Sequence, residues 1–234
     1  MGLMESAVAL ISGADRQLET TAQNVSNMMT AGYRARQSFW SMINAVNEGE
    51  QNLPQVRFGT DFAAGNIKMT SNPYDLAIGG AGFFVVRSGD ETRFTRDGQF
   101  RRDGDGRLVN GDGFALQGDG GDLVLKGDKI IIRPDGTVID NGEPVDRILV
   151  HDFADLTELT AAGGSAFRSA AGDGVDVQGP DIRQGALETS NVSTAHEMIT
   201  MMKAMRQVET GQRIVQFYDE LLGEAITSFG GTQA

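Results

Sequence analysis

Apolar residues recur every seven positions at both ends of this 234-residue chain, in stretches that contain no proline. Near the start, Met4, Ile11, Leu18 and Val25 fall on one seam, with Ala7, Ala14, Thr21 and Met28 three places on. Near the end, Met201, Val208, Val215, Leu222 and Phe229 do the same, with Ala204, Gly211, Tyr218 and Ala225 beside them. A 3.5-residue repeat keeps one face of a helix turned toward a partner helix. The ends are therefore expected to pair as one coiled-coil-like domain, and the nine large seam residues to carry assembly with neighbouring molecules.

The middle of the chain reads differently. All five prolines lie between the helical ends. Short apolar runs such as Leu76-Ala77-Ile78 and Phe83-Phe84-Val85-Val86 alternate with Asp-Gly pairs at 97–98, 103–104, 105–106, 112–113 and 135–136. Asp-Gly between apolar runs marks a hairpin, because Gly accepts a positive φ without steric cost. The expected fold class is α+β. A discontinuous helical domain comprises 1–36 and 187–234, a connecting segment 37–59, and a central, mainly antiparallel β domain 60–186. Within these, a first helix is predicted from Leu3 to Met28, with Gly32 as its left-handed stop. A last helix is predicted from Thr194 to about Phe229, capped by Thr194 with Glu197 reaching back. Phe39, Trp40, Met42, Ile43 and Val46 are compatible with continued helix, and 160–181 reads as a surface loop.

Charge follows the same division. Of the net −12, residues 1–36 contribute nothing and 187–234 contribute −3, so the middle carries the remaining −9. Nearly neutral ends suit association surfaces. The acidic total argues against nucleic-acid binding. No apolar run is long enough for a membrane span, and no basic-then-apolar leader is present. The absence of cysteine excludes disulfides and thiolate metal sites.

Enzyme chemistry finds few tools. His151 and His196 are far apart, and Thr200 stands where a second zinc-binding His would be needed. Gly80-Ala81-Gly82 enters a strand rather than a helix, against a dinucleotide site. The Asp103–Leu108 run fails as a calcium loop, since Arg107 and Leu108 occupy its fifth and sixth places. No catalytic residue, cofactor or metal is expected. Eight of the ten methionines lie in the helical ends, as ordinary helix core or as a surface that repacks against varied neighbours.

Several motifs coincide in order along the chain. Ala22-Gln23-Asn24-Val25-Ser26-Asn27-Met28-Met29-Thr30-Ala31-Gly32-Tyr33-Arg34 resembles the signature of the bacterial flagellar rod and hook axial proteins, through Asn24, Asn27, Thr30, Gly32, Tyr33 and Arg34. Gln23, Ser26 and Met28-Met29 depart from its commonest form. Asn72–Val86, Phe94–Phe100 and Gly106–Gly113 resemble the family's β segments, and Gly185-Ala186-Leu187-Glu188-Thr189-Ser190-Asn191-Val192 its closing motif. The resemblance implies a structural subunit of the basal-body rod, exported by the flagellar type III apparatus. It would assemble with copies of itself and other rod proteins in the periplasmic space. Length and the Tyr33–Phe39 passage favour the proximal rod, with a distal-rod or other axial subunit as the alternative. A rival of another class is a β-domain glycan-binding or hydrolytic module with oligomerising ends.

Overall fold

The protein is described by a computed structural model covering residues 3–42, 54–127, 129–170, 172 and 174–230. It divides into two compact units. One contains residues 1–26, 36–59 and 193–234; the other contains 27–35 and 60–192. The fold is α+β, with helices at the two ends and an antiparallel β middle.

The first unit holds α1, Leu3–Ser26, and α2, Thr194–Gly230, with a two-stranded sheet of Arg36–Met42 and Pro54–Thr60. The predicted start of α2 at Thr194 is observed. Glu197 N donates to Ser193 O at 2.9 Å, closing the first turn. Helix does not continue past residue 36: Phe39, Trp40 and Met42 lie in a strand, and Ile43 and Val46 lie outside the described residues. β-Branched and aromatic residues suit a pleated sheet as well as a helix, so local pattern alone did not separate the two.

The β unit is built around Phe83–Ser88, whose alternate side chains serve two cores. Phe84 and Val86 join Leu76, Leu108, Leu116, Ile148 and Val150. Phe83 and Val85 face the other way, to Phe94, Phe153, Leu159 and Phe167. A strand buried on both faces reads as an unbroken apolar run. The largest sheet follows the path 159–163, 166–169, 91–95, 83–88, 115–118, 108–109, 101–102. Ile130–Ile132, Thr137–Asp140 and Glu143–Arg147 form a separate three-stranded sheet.

Two expectations are corrected here. The predicted loop at 160–181 contains a hairpin, Leu159–Gly163 with Ala166–Ser169, whose second strand pairs Phe167 with Phe94. Its Ala- and Gly-rich tip hides the fact that Leu159 and Phe167 are core residues. Residues 27–35 and 187–192, expected with the helical ends, group with the β unit. Ala186–Glu188 is a strand paired with Ile67–Met69.

Candidate assembly site

Within the helical unit α1 and α2 run antiparallel. Asn24, near the end of α1, donates from Nδ2 to Glu197 Oε1 near the start of α2, at 2.9 Å. Toward the other end Gly211 lies against α1: a Cβ built on it would sit 2.5 Å from Ile11 Cγ1 and 3.5 Å from Ala7 O. The helices therefore approach through small residues. Ala7, Ala14, Thr21 and Ala204 are each 1% exposed.

Most of the predicted seam residues flank this line, and Leu222 lies on its continuation along α2. Ile11, Leu18, Val25, Met201, Val208 and Val215 are half-buried, while Met4 and Leu222 are exposed. The side chain of Phe229 lies outside the described residues. Large side chains at these positions flank a close contact made by small residues, tightest at Gly211.

Asn24 itself is 1% exposed and fully engaged. Its Oδ1 accepts from Arg36 N at 2.9 Å, and Nδ2 also donates to Arg36 O at 2.8 Å. One amide thus occupies both backbone groups of Arg36, as a neighbouring strand would. Glu197, read from sequence as a cap reaching back to Thr194, uses Oε1 to accept from Asn24.

The remaining motif residues converge in the β unit. Asn27 and Thr30 form a turn, with Thr30 N donating to Asn27 O at 3.0 Å and Thr30 Oγ1 meeting Asn27 Oδ1 at 3.2 Å. Gly32 follows with φ +64°. It does not stop α1, which ends six residues earlier at Ser26. It lets the chain pass against another backbone: an added Cβ would stand 2.2 Å from Arg96 C. Gly32 N donates to Glu188 O at 2.8 Å. Tyr33 is buried, and Leu187 and Val192 are half-buried. Ser190 Oγ accepts from Val192 N at 3.2 Å.

Glu188 is the centre of this arrangement. Its Oε1 accepts from Arg34 Nη1 at 2.6 Å and from Gly65 N at 2.8 Å. Its Oε2 accepts from Arg96 Nη1 at 3.3 Å. Arg96 Nη2 donates onward to Gly80 O at 2.8 Å, and its guanidinium lies over the Phe83 ring. Burial pulls Arg96 below its ordinary guanidinium range, and Glu188 opposes that shift. Asn191 closes the same region. Its Oδ1 accepts from Ala35 N at 2.7 Å, and Nδ2 donates to Asp61 O and Ala63 O, both at 2.9 Å. The arrangement fixes backbone: Gly65 N, Ala35 N and the carbonyls of Gly80, Asp61 and Ala63 are all held by its side chains.

Arg34 was read only as a matching residue of the signature, Arg96 only within the Phe94–Phe100 segment and Glu197 as a helix cap; their buried polar contacts were not anticipated. Arg34 sits between Tyr33 and Ala35, and Glu188 follows Ala186-Leu187, so charges embedded in apolar runs were the available signal. That signal does not choose one partner among 20 basic residues. In the Asp103 turn, Arg107 uses the carboxylate a cation would have needed: Asp103 Oδ1 accepts from Arg107 N at 2.8 Å and Oδ2 from Arg107 Nε at 2.9 Å. Among the described residues no three His, Asp or Glu side chains group to hold a metal ion, and no helix is long and apolar enough to cross a membrane.

Comparison with known proteins bears on the same segments. A family model described as the flagellar hook protein FlgE/F/G D1 domain matches residues 77–140. A second, the flagellar basal body rod FlgEFG protein C-terminal, matches 183–228. The flagellar basal-body rod protein FlgG of Borreliella burgdorferi is 30% identical over 96% of this chain and 97% of its own length. The chain belongs to the flagellar rod and hook protein family.

Other members of that family extend the likeness. The rod protein FlgF of Caulobacter vibrioides is 28% identical over 92% of each chain. The hook protein FlgE of Brucella abortus is 39% identical over 115 residues, 47% of this chain but only 29% of that one. In flagellar terms, the rod C-terminal segment begins at Arg183, takes in Glu188 and Asn191, and runs along α2 to Ser228. The D1 segment contains the two-faced strand Phe83–Ser88 and Arg96.

Proposed function

We propose that this protein is a structural subunit of the flagellar basal-body rod and polymerises through its terminal helices, which pair in coiled-coil fashion. The nearly full-length match to a rod protein carries this reading. The seam between α1 and α2 supports the polymerising part. It buries Ala7, Ala14, Ala204 and Gly211, and a buried methyl contributes only about 0.8 kcal/mol. Fixing one residue's backbone costs about 1–2 kcal/mol, so contacts within one chain leave the helix pair marginal. Coverage by neighbouring subunits completes it, and the ends are ordered on assembly.

The role is mechanical rather than enzymatic: the subunit forms part of the drive-shaft that transmits torque. Its partners are copies of itself and other rod proteins, after passage through the flagellar type III export apparatus. Placement in the proximal rod is favoured by alignment length. The Caulobacter FlgF aligns over 233 positions for 92% of this chain, whereas the Borreliella FlgG needs 258 for 96%. Fewer gaps fit the FlgF-like form. The distal rod is the second reading, favoured by the 30% identity to that FlgG.

Electron microscopy of basal bodies from a strain lacking this chain tests the proposal. Truncated or missing rods, restored by the wild-type chain, are expected. Complete rods with normal motility contradict it. Cross-linking to neighbouring rod subunits separates proximal from distal placement.

A further inference from the structure

Among the described residues, the register of the two helices leaves part of α2 beyond the end of α1. Positions in an antiparallel pair match when their numbers add to a constant: Asn24 with Glu197 gives 221, and Ile11 with Gly211 gives 222. Leu3, the first residue of α1, then falls level with about residue 218. From there to Gly230, about 18 Å at 1.5 Å per residue, α2 has no stretch of α1 beside it among the described residues.

The stripe that faces α1 does not stop where α1 does. Leu222 follows Ala204 by 18 residues, about five full turns, so it projects along the line of a residue that is 1% exposed. Ile226 is one turn further. Yet Leu222 is 45% exposed and Ile226 70%. An inward-facing stripe left bare over two turns marks a contact made with something else.

Charge identifies the partner. The free segment carries Asp219, Glu220 and Glu224 and no base. Earlier in the same helix, Arg206 and Arg213 share one side with Met198, Met202 and Met205 at helical spacing; Glu209 stands on that side too, leaving it a net charge of +1. These three methionines are 61%, 53% and 51% exposed. Unbranched thioethers adapt to a facing surface, and the bases complement the acidic tail.

We propose that the free C-terminal segment of α2 docks on the Met198–Met202–Met205 side of α2 in a second copy of this chain. The contact rests on the rod reading and deepens it. The two surfaces differ, so the interface is heterologous and leaves one of each kind open at the ends of the array.

A chain carrying both Met202→Cys and Leu222→Cys tests it, because the protein has no native cysteine. The two positions are about 30 Å apart along one helix, too far for an intrachain disulfide. Basal bodies are purified from cells in which the variant replaces wild type, then oxidised and read on a non-reducing gel. About tenfold more disulfide-linked dimer than with either single variant is expected. Adding Arg206→Glu and Arg213→Glu abolishes it, and further adding Glu220→Arg and Glu224→Arg restores it. Basal bodies that contain the chain but give no more dimer than the single variants overturn the proposal and leave the rod reading standing. Absence of the wild-type chain from basal bodies overturns both.

Discussion

Glu188 Oε1 accepts from Arg34 Nη1 at 2.6 Å, although 154 residues separate them and both side chains are almost wholly buried. The contact joins the passage after α1 to the strand that leads toward α2. Arg96 shares the carboxylate through Oε2. Two guanidinium groups thus depend on one acid inside the β unit. Replacing Glu188 with Gln removes their counter-charge and leaves two buried cations. A loss of about 3–5 kcal/mol in unfolding free energy is expected. Urea unfolding of the full chain, followed by circular dichroism, measures it. A loss below about 1 kcal/mol, the range of an exposed pair, contradicts a buried triad.

Asn191 makes a comparable prediction without charge. Its Nδ2 donates to two carbonyls, Asp61 O and Ala63 O, while Oδ1 accepts from Ala35 N. Asn191→Asp keeps the shape but aims an oxygen at both carbonyls. The donor loss and repulsion are expected to cost about 2–3 kcal/mol. Asn191→Asp unfolding at the wild-type urea midpoint speaks against this role.

Asp97 gives a pH dependence. Burial raises its carboxyl to about 6 from 3.8, and the charges of Asp112 and Asp75 add to that, against a lowering hydrogen bond from Gln99 N. Between about pH 4 and 6 the native state therefore holds a proton that the unfolded chain has lost. This contribution to stability is fully present below the unfolded value and is lost as pH rises through the folded one. Asp97→Asn is expected to flatten the fall in stability across that window. An NMR titration placing the Asp97 carboxyl near 4 refutes the assignment.

Two glycines of α2 should respond oppositely to the same change. Gly223 has nothing within 4 Å of a built Cβ, so Gly223→Ala is expected to stabilise the helix by about 1 kcal/mol. At Gly211 the added methyl meets Ile11, and overpacking of about 1–3 kcal/mol outweighs the propensity gain. Thermal melts of the helical signal compare the two. Equal stabilisation at both sites contradicts the close approach of α1 and α2.

What was readable in the sequence follows from which interactions are local. Asp-Gly turns and the run Phe83–Val86 announced the β unit because turn chemistry and strand burial leave short-range patterns. The start of α2 at Thr194 was legible for the same reason. The heptads announced a helix pair, but not that Ala7, Ala14, Ala204 and Gly211 form its inner line. Apolar size invites the assignment of Leu and Val to the centre, whereas close packing selects the smallest residues. Leu159 and Phe167 were masked by the Ala-Gly tip of their hairpin. The meeting of Arg34, Arg96 and Glu188 had no local signature, although Arg34 and Glu188 each stand in a readable motif, since the three come together only when distant segments do.

Rod incorporation of a Leu18→Asp/Leu222→Asp chain tests the central claim most directly. Leu18 flanks the α1–α2 contact half-buried and Leu222 is exposed, so neither belongs to either core of the β unit. The account predicts a β unit that melts as in wild type, no variant chain in purified basal bodies, and loss of motility. Basal bodies containing the variant at wild-type levels, in normally swimming cells, would contradict assembly through the terminal helices.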